Sequence, residues 1–268
     1  MGYKFDAVNH VHTLNDWPLI GTSTVGNVLA KPLTWWAAGL ALRDLGWTKQ
    51  RDDKQKYIPK GVRLEAATKR FQEIKQLDAV EYLNLLDACY RAHDREKKES
   101  AEAGTDRHAI VEKFVKMEMG HDISLTSEEI AQIQSFISWS KANVKRYLWS
   151  ELNCYSEKHW IGGISDIGCE LNDGRFAIID IKSSKDAYAS QFFQCGGYDL
   201  AITENGGFDS DGNQTMPKLE KPIEAHIIFP FGMKEPTGIE SKTTPEENRR
   251  AFLAELFLHK ALQRFEKE

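Results

Sequence analysis

Asp180 and Lys182 stand two residues apart in "GRFAIIDIKSS" (174–184), at a point where an apolar run should continue. Strand side chains alternate, so Phe176, Ile178, Asp180 and Lys182 share one face and Ala177, Ile179 and Ile181 the other. A second carboxylate, Asp166, lies fourteen residues upstream in "GGISDIG". If these segments form a hairpin, the two carboxylates approach each other, and like charges repel unless a cation sits between them. The Ile181 carbonyl adds an oxygen suited to a hard ion such as Mg²⁺ or Mn²⁺. Lys182 could then orient a water or stabilise the charge that develops when a phosphodiester is attacked. The plain alternative is an exposed Asp180–Lys182 ion pair at a strand end. The interrupted apolar run and the upstream aspartate favour a site.

Other residues could join them. His108 and Glu112 are four apart and share a helix face, at the margin of the apolar arc of Ile110, Val111, Phe114 and Val115. A neutral imidazole there can bind a divalent ion, with Glu112 orienting it, and a histidine hydrogen-bonded at a helix edge is the alternative. Glu151, just before the core strands, is a further acidic candidate, and Glu157 competes with it for that role. Gln191, Gln194 and Tyr198 follow helical spacing and form a face, which could also be the polar side of an amphipathic helix. Gly196 and Gly197 within that helix cost about 2 kcal/mol relative to alanine, so they imply a close backbone approach, to the sheet or to substrate. Trp35 could stack on an unpaired base, although Trp36 points about 100° away, so at least one of the two belongs to a core. The segment "KQRDDKQKYIPKGVR" (49–63) is a candidate backbone-contacting flank or a solvated loop. "DSDGN" (209–213) reads as a turn rather than a calcium loop, and His10 and His12, which could touch a metal, read as ordinary exposed residues of an N-terminal strand.

Val62–Gln76 and Asp78 to about Glu99 have helical spacing, the second with an apolar stripe of Val80, Leu83, Leu86 and Tyr90. Another helix is expected after Gly104, and one more from the cap-like Thr126 or Ser127, with Glu129 or Glu128, through Trp149. Then the pattern changes to three strands, 150–157, 159–171 and 175–184, with "NDG" (172–174) as a hairpin turn. A helix over 186–203, a polar loop, a strand "IEAHIIFPFG" and a helix from about Pro245 complete the chain. This is an α/β or α+β fold, with a central mixed sheet flanked by helices and a helical first half packed around it. One domain over residues 1–268 is expected: a helical part at about 20–148, a sheet core at about 149–232 and a C-terminal helix at about 245–268.

The 268 residues are 41% hydrophobic and 28% charged, an ordinary globular composition, and no stretch has the apolar length of a membrane span. The beginning, "MGYKFDAVNHVH", lacks the pattern of a secretion signal. Cys89, Cys154, Cys169 and Cys195 are scattered without a C-x-x-C pair, which disfavours a disulfide framework and suits a reducing cytoplasm. The net charge of −5 argues against indiscriminate coating of nucleic acid, while leaving room for a local basic groove or a metal-filled acidic site.

"GGISDIG…IIDIKSS" resembles the Asp…Asp-x-Lys core of the PD-(D/E)XK nucleases, specifically the RecB-like exonuclease branch. "GTDRHAIVE" is similar to that branch's upstream helix, with Gly104, Thr105, His108 and Glu112, and "QCGGY" to its Q-x-x-x-Y. "GTSTVGNVL…LTWWAAGLA" resembles the opening of phage and mitochondrial genome-maintenance exonucleases, so the likeness covers about residues 20 to 200. It implies a restriction-endonuclease-like core and hydrolysis of DNA from its ends in phage-type recombination, repair or processing. One or two Mg²⁺ or Mn²⁺ ions would be held by His108, Asp166, Asp180 and the Ile181 carbonyl, with Glu151 as an added ligand. Lys182 would be catalytic beside Asp166 and Asp180, Gln194 and Tyr198 would bind and position nucleic acid or else position the active site, and Ser183, with Gln191 and Trp35, would contact DNA. An iron–sulfur cluster found in some relatives is not expected, because the cysteines lack its spacing. Partners implied are DNA with a free end and a recombination or single-strand-binding protein, with no membrane, in the cytoplasm of the cell or of a viral host. The rival functions are a structure-selective endonuclease on the same core and a non-catalytic protein that binds DNA ends.

Overall fold

The computed structural model describes residues 2–29, 34–47 and 60–265. Their contacts gather the chain into two compact units, one of Met1–Ala30 with Gly104–Glu268 and one of Lys31–Ala103, where a single domain is expected from the sequence.

The first unit is built on a mixed sheet. A small antiparallel sheet of β1 (Tyr3–Asp6), β2 (Val11–Leu14) and β3 (Trp17–Pro18) precedes β4 (Ile20–Gly21), the short helix α1 (Thr22–Val25) and a 3-10 turn, Gly26–Leu29. The large sheet comprises β5 (Val144–Ser156), β6 (Ile161–Leu171), β7 (Phe176–Lys182), β8 (Gly207–Phe208), β9 (Gln214–Met216), β10 (Ile223–Pro230) and β11 (Ile239–Glu240). Its order is β11-β10-β7-β6-β5-β8-β9, with β4 pairing parallel to the start of β6. β6 and β7 form the expected hairpin, with Gly174 at φ 90° in its turn, where a side chain would be strained. β10 joins β7 in parallel.

The alternation read from β7 sorts the core into two layers. Ala177, Ile179 and Ile181, with Ile167, Cys169 and Phe229, face Val111, Phe114, Val115, Phe136 and Ile137. These last come from α5 (Ala92–Glu118) and α7 (Gln134–Asn143), while α6 (Ser127–Gln132) starts with the Thr126/Glu129 capping box anticipated from the sequence. Ile178 and Ile228 face the other way, onto Cys195, Tyr198, Ala201 and Ile202 of α8 (Ala189–Asn205). The closing helix, α9 (Pro245–Phe265), lies against α8.

Two boundaries differ from expectation. The helix expected to reach Trp149 ends at Asn143, and "VKRYLW" opens β5 instead, because Lys145 and Arg146 pair with Glu170 on β6 at 2.7 and 2.6 Å. Tertiary pairing outweighs local helical spacing there. The break expected at Gly104 also moves, since α5 runs unbroken through it and the interruption falls at Arg91, the C-cap of α4 (Ala79–Tyr90).

The second unit contains α2 (Thr34–Asp44), α3 (Lys60–Ile74) and α4, the last opened by an Asp78/Glu81 capping box. Arg95 ties to Asp44 at 2.7 Å, and Arg70 donates to the Asp44 carbonyl. The stripe of Val80, Leu83, Leu86 and Tyr90 is exposed, contrary to what an apolar helix face suggests. The side chains of Trp35 and Trp36 and most of the basic 49–63 segment lie outside the described residues.

Candidate metal centre

Glu151, Asp166 and Asp180 form one row across three strands. Ser150 pairs with Ile167 and Leu152 with Ser165, which sets Glu151 opposite Asp166. On the other side of β6, Ile167 pairs with Ile179, and one step further lie Asp166 and Asp180. The β6–β7 ladder stops at that step. The Ile181 amide, released from the ladder, donates to Asp166 Oδ2 at 2.8 Å. The aspartate thus takes a strand hydrogen bond that would otherwise be lost.

Glu151 occupies the row by an unusual route. Trp149 and Leu152, three residues apart, both pack on the α8 side of the sheet, so the alternation of β5 slips by one between them. The slip coincides with a left-handed backbone at Glu151, φ 50°. A non-glycine residue in that region is strained by about 1 kcal/mol or more, and such strain concentrates at functional sites.

α5 supplies the fourth group. His108 Nε2 lies 2.8 Å from Asp166 Oδ2 and Nδ1 lies 3.3 Å from Glu151 Oε1, so the imidazole bridges two carboxylates. One ligand atom each from His108, Glu151 and Asp166 fall within 4.8 Å of one another. Asp180 is 1% exposed. Lys182 Nζ stands 2.7 Å from its Oδ2, yet the carboxylate lacks a well-directed hydrogen bond. The ion pair anticipated at a strand end therefore exists, but it is buried rather than solvated, and buried pairs are costly to assemble.

The electrostatics follow from this crowding. Burial pulls the His108 imidazole down, but its bond to Asp166 and the charges of Asp166, Glu151 and Asp180 push it up to about 9. Burial and the neighbouring Asp166 push Glu151 up to about 8 against the pull of His108. Burial likewise raises Asp180 to about 6, opposed by Lys182. Asp166 goes the other way: burial opposes its ionisation, yet the His108 bond and charge, then Lys182 and the Ile181 amide, hold it below the usual range. Burial disfavours charge on Lys182, but Asp180 and Asp166 keep its ammonium above its ordinary value. A divalent cation is the natural replacement for the protons this cluster retains. One imidazole with carboxylate oxygens, the two of Asp180 buried and without a hydrogen bond, is a donor set that fits Mg²⁺ or Mn²⁺.

The centre opens into a cavity of about 410 Å³, lined by Arg107, His108, Glu112, Ile181, Lys182, Ser183 and Phe231 among others. Arg107, which no motif or spacing marks, sits over the Phe231 ring at 5.9 Å, within cation–π range. Ser183 lies on this wall.

Other expectations land differently. Glu112 pairs with Lys116 at 2.5 Å and does not orient His108, because both ring nitrogens already face carboxylates. Glu157 is exposed in the turn after β5, which leaves Glu151 as the acidic partner. Tyr198 is buried, with its hydroxyl bonded to Gln194 and Thr22, so it holds Gln194 in place and does not present itself to a ligand as a DNA contact would. Gln191 caps α8 by accepting from the Tyr188 amide and donates to Ser184. The glycine pair serves neither sheet nor substrate, since a Cβ on Gly196 would lie 2.6 Å from the Asn248 backbone and one on Gly197 2.7 Å from Phe252, both on α9. His12 is buried against Tyr3 and Phe5, and Asp209 closes its turn by accepting from Asp211 and Asn213. All four cysteines are buried and free. Among the described residues no helix is long and apolar enough to cross a membrane.

Comparison with models of known protein families and with curated protein sequences finds no match.

Proposed function

We propose that the chain is a metal-dependent DNA exonuclease of the PD-(D/E)XK, RecB-like type, acting on DNA ends in recombination, repair or processing. The observation that carries this reading is the carboxylate row Glu151–Asp166–Asp180, closed by His108 on one side and by Lys182 on the other. Glu151, Asp166, Asp180, His108 and Lys182, which the resemblance implies as ligands and catalytic lysine, lie close together, and this proximity supports the reading. When bound, Mg²⁺ or Mn²⁺ supplies positive charge on the scissile phosphate and lowers the pKa of the attacking water.

The chain's own groups do the rest. Asp166 is fixed by the Ile181 amide and His108, so its second oxygen has a defined direction. Lys182 is held charged beside Asp180, where it can orient the attacking water and offset the charge growing on the phosphate. Ser183 and Arg107, on the cavity wall, are placed to bind the non-reacting phosphate oxygens. The cytoplasm is the compartment that fits four free cysteines.

The test is digestion of end-labelled single-stranded and duplex linear DNA, with a closed circle alongside, in Mg²⁺, Mn²⁺ and EDTA. Loss of linear strands only, abolished by EDTA and by Lys182→Ala or Asp180→Asn in folded protein, is the expected outcome. Cutting of the circle would make the enzyme an endonuclease. A fully active Lys182→Ala variant would sink the mechanism.

A further inference from the structure

Glu255 of α9 is a buried acid outside the metal centre and, unlike the buried Asp199 and Glu170, it has no ion-pair partner among the described residues. It is 6% exposed, and neither carboxylate oxygen has a hydrogen-bond partner. Burying a polar group without a partner costs free energy, so such an orphan needs an explanation. Burial alone pushes this carboxyl up to about 7.

Glu255 lines a cavity of about 170 Å³ whose other walls include Ser23, Asn27, Ser190, Gln191 and Gln194. No lining residue is cationic, so a phosphate or other anion has nothing to hold it. The space equals roughly five or six water volumes, too large for a bare ion. The hydrogen-bonding state of the walls then decides the occupant. Gln191 accepts from Tyr188 and gives one N–H to Ser184, and Gln194 gives one N–H to Tyr198. The serines, Asn27 and the amides can donate or accept, whereas the buried group left without any partner is the Glu255 carboxylate, which once ionised can only accept. It calls for a donor, and with DNA as the ligand that donor is the exocyclic N–H₂ of a base. Gln194 also links this cavity, through Tyr198, to the field of Asp180 and Asp166.

We propose that this cavity receives a single unstacked nucleobase carrying an exocyclic amine, with the amine donating to Glu255. The inference rests on the nuclease reading for its choice of ligand, and it specifies the substrate as single-stranded DNA with a preference for cytosine or adenine. Cytosine presents its amine as donor to a carboxylate, whereas uracil places a carbonyl oxygen there and leaves the buried acid unpaired.

Binding of short oligo-dC and oligo-dU, which differ at this ring position, tests the idea in EDTA at about pH 8, above the raised Glu255 value. Wild-type protein should bind oligo-dC roughly tenfold more tightly. Glu255→Gln, which keeps the volume and removes an orphan charge, should fold and bind both oligomers equally. Equal wild-type affinities, no binding to either, or discrimination surviving in Glu255→Gln would each overturn the proposal. Cleavage of both strands at one rate in Mg²⁺ would remove it and leave the nuclease standing. Discrimination in binding, abolished by Glu255→Gln but without cleavage in any metal, would do the reverse.

Discussion

At the residue scale, single side chains carry separable tasks. Arg107 has no ion-pair partner among the described residues and rests over Phe231 on the wall of the cavity beside the candidate metal centre. If it meets a phosphate, Arg107→Ala should lower the slope of log affinity for single-stranded DNA against log salt by about 0.7, the value of one neutralised phosphate. Oligonucleotide titrations across a salt series measure this, and an unchanged slope would remove Arg107 from the interface. His12 makes a stability prediction of known sign. Burial, aided by His10, pulls its imidazole from 6.5 to about 4, and Tyr3 is bonded to its Nδ1. The folded state resists a proton that the unfolded chain accepts. Stability is therefore full above about pH 6.5 and is lost as pH falls towards 4, by on the order of 3 kcal/mol. Urea melts of wild type and His12→Phe across this window should show the acid loss shrinking in the variant.

At the element scale, the contact between α8 and α9 depends on two missing side chains. Gly196 faces backbone atoms of Asn248, which cannot swing aside, while Gly197 faces the ring of Phe252, which can shift. Overpacking typically costs about 1–3 kcal/mol, so Gly196→Ala should be near the upper end and Gly197→Ala lower. Denaturant unfolding gives both values, and a neutral Gly196→Ala would show that the helices separate at little cost. The same contact explains why helix propensity is sacrificed in the middle of α8. β5 shows a parallel compromise: its backbone is strained at Glu151 so that a side chain can leave the alternation and join the row.

At the scale of the whole molecule, a cluster that retains protons and unsatisfied oxygens is stabilised by whatever cation fills it. Mn²⁺ should raise the melting temperature of wild-type protein in proportion to the logarithm of its concentration, and Glu151→Gln or Asp166→Asn should flatten that response. Differential scanning fluorimetry over a metal series checks this. A rise equal in all three proteins would place the ion elsewhere.

The β7 alternation, the Asn172–Gly174 turn, the Thr126 cap and the trio Asp166, Asp180 and Lys182 were legible because each depends on residues close in sequence. Local steric and hydrogen-bonding rules act over that range. Where the helix gave way to β5 was not legible, since it turns on Glu170 pairing with Lys145 and Arg146 from another strand. Neither was the choice of Glu151 over Glu157, because a strand read from its sequence alternates without a slip. The purpose of Gly196 and Gly197, and the burial of Glu255, arise from α9 returning to α8 some fifty residues later. The sequence by itself determined which groups could perform the chemistry, through type and local spacing. Only the tertiary structure decided which of them meet, because cross-strand register and helix packing set the distances between charges.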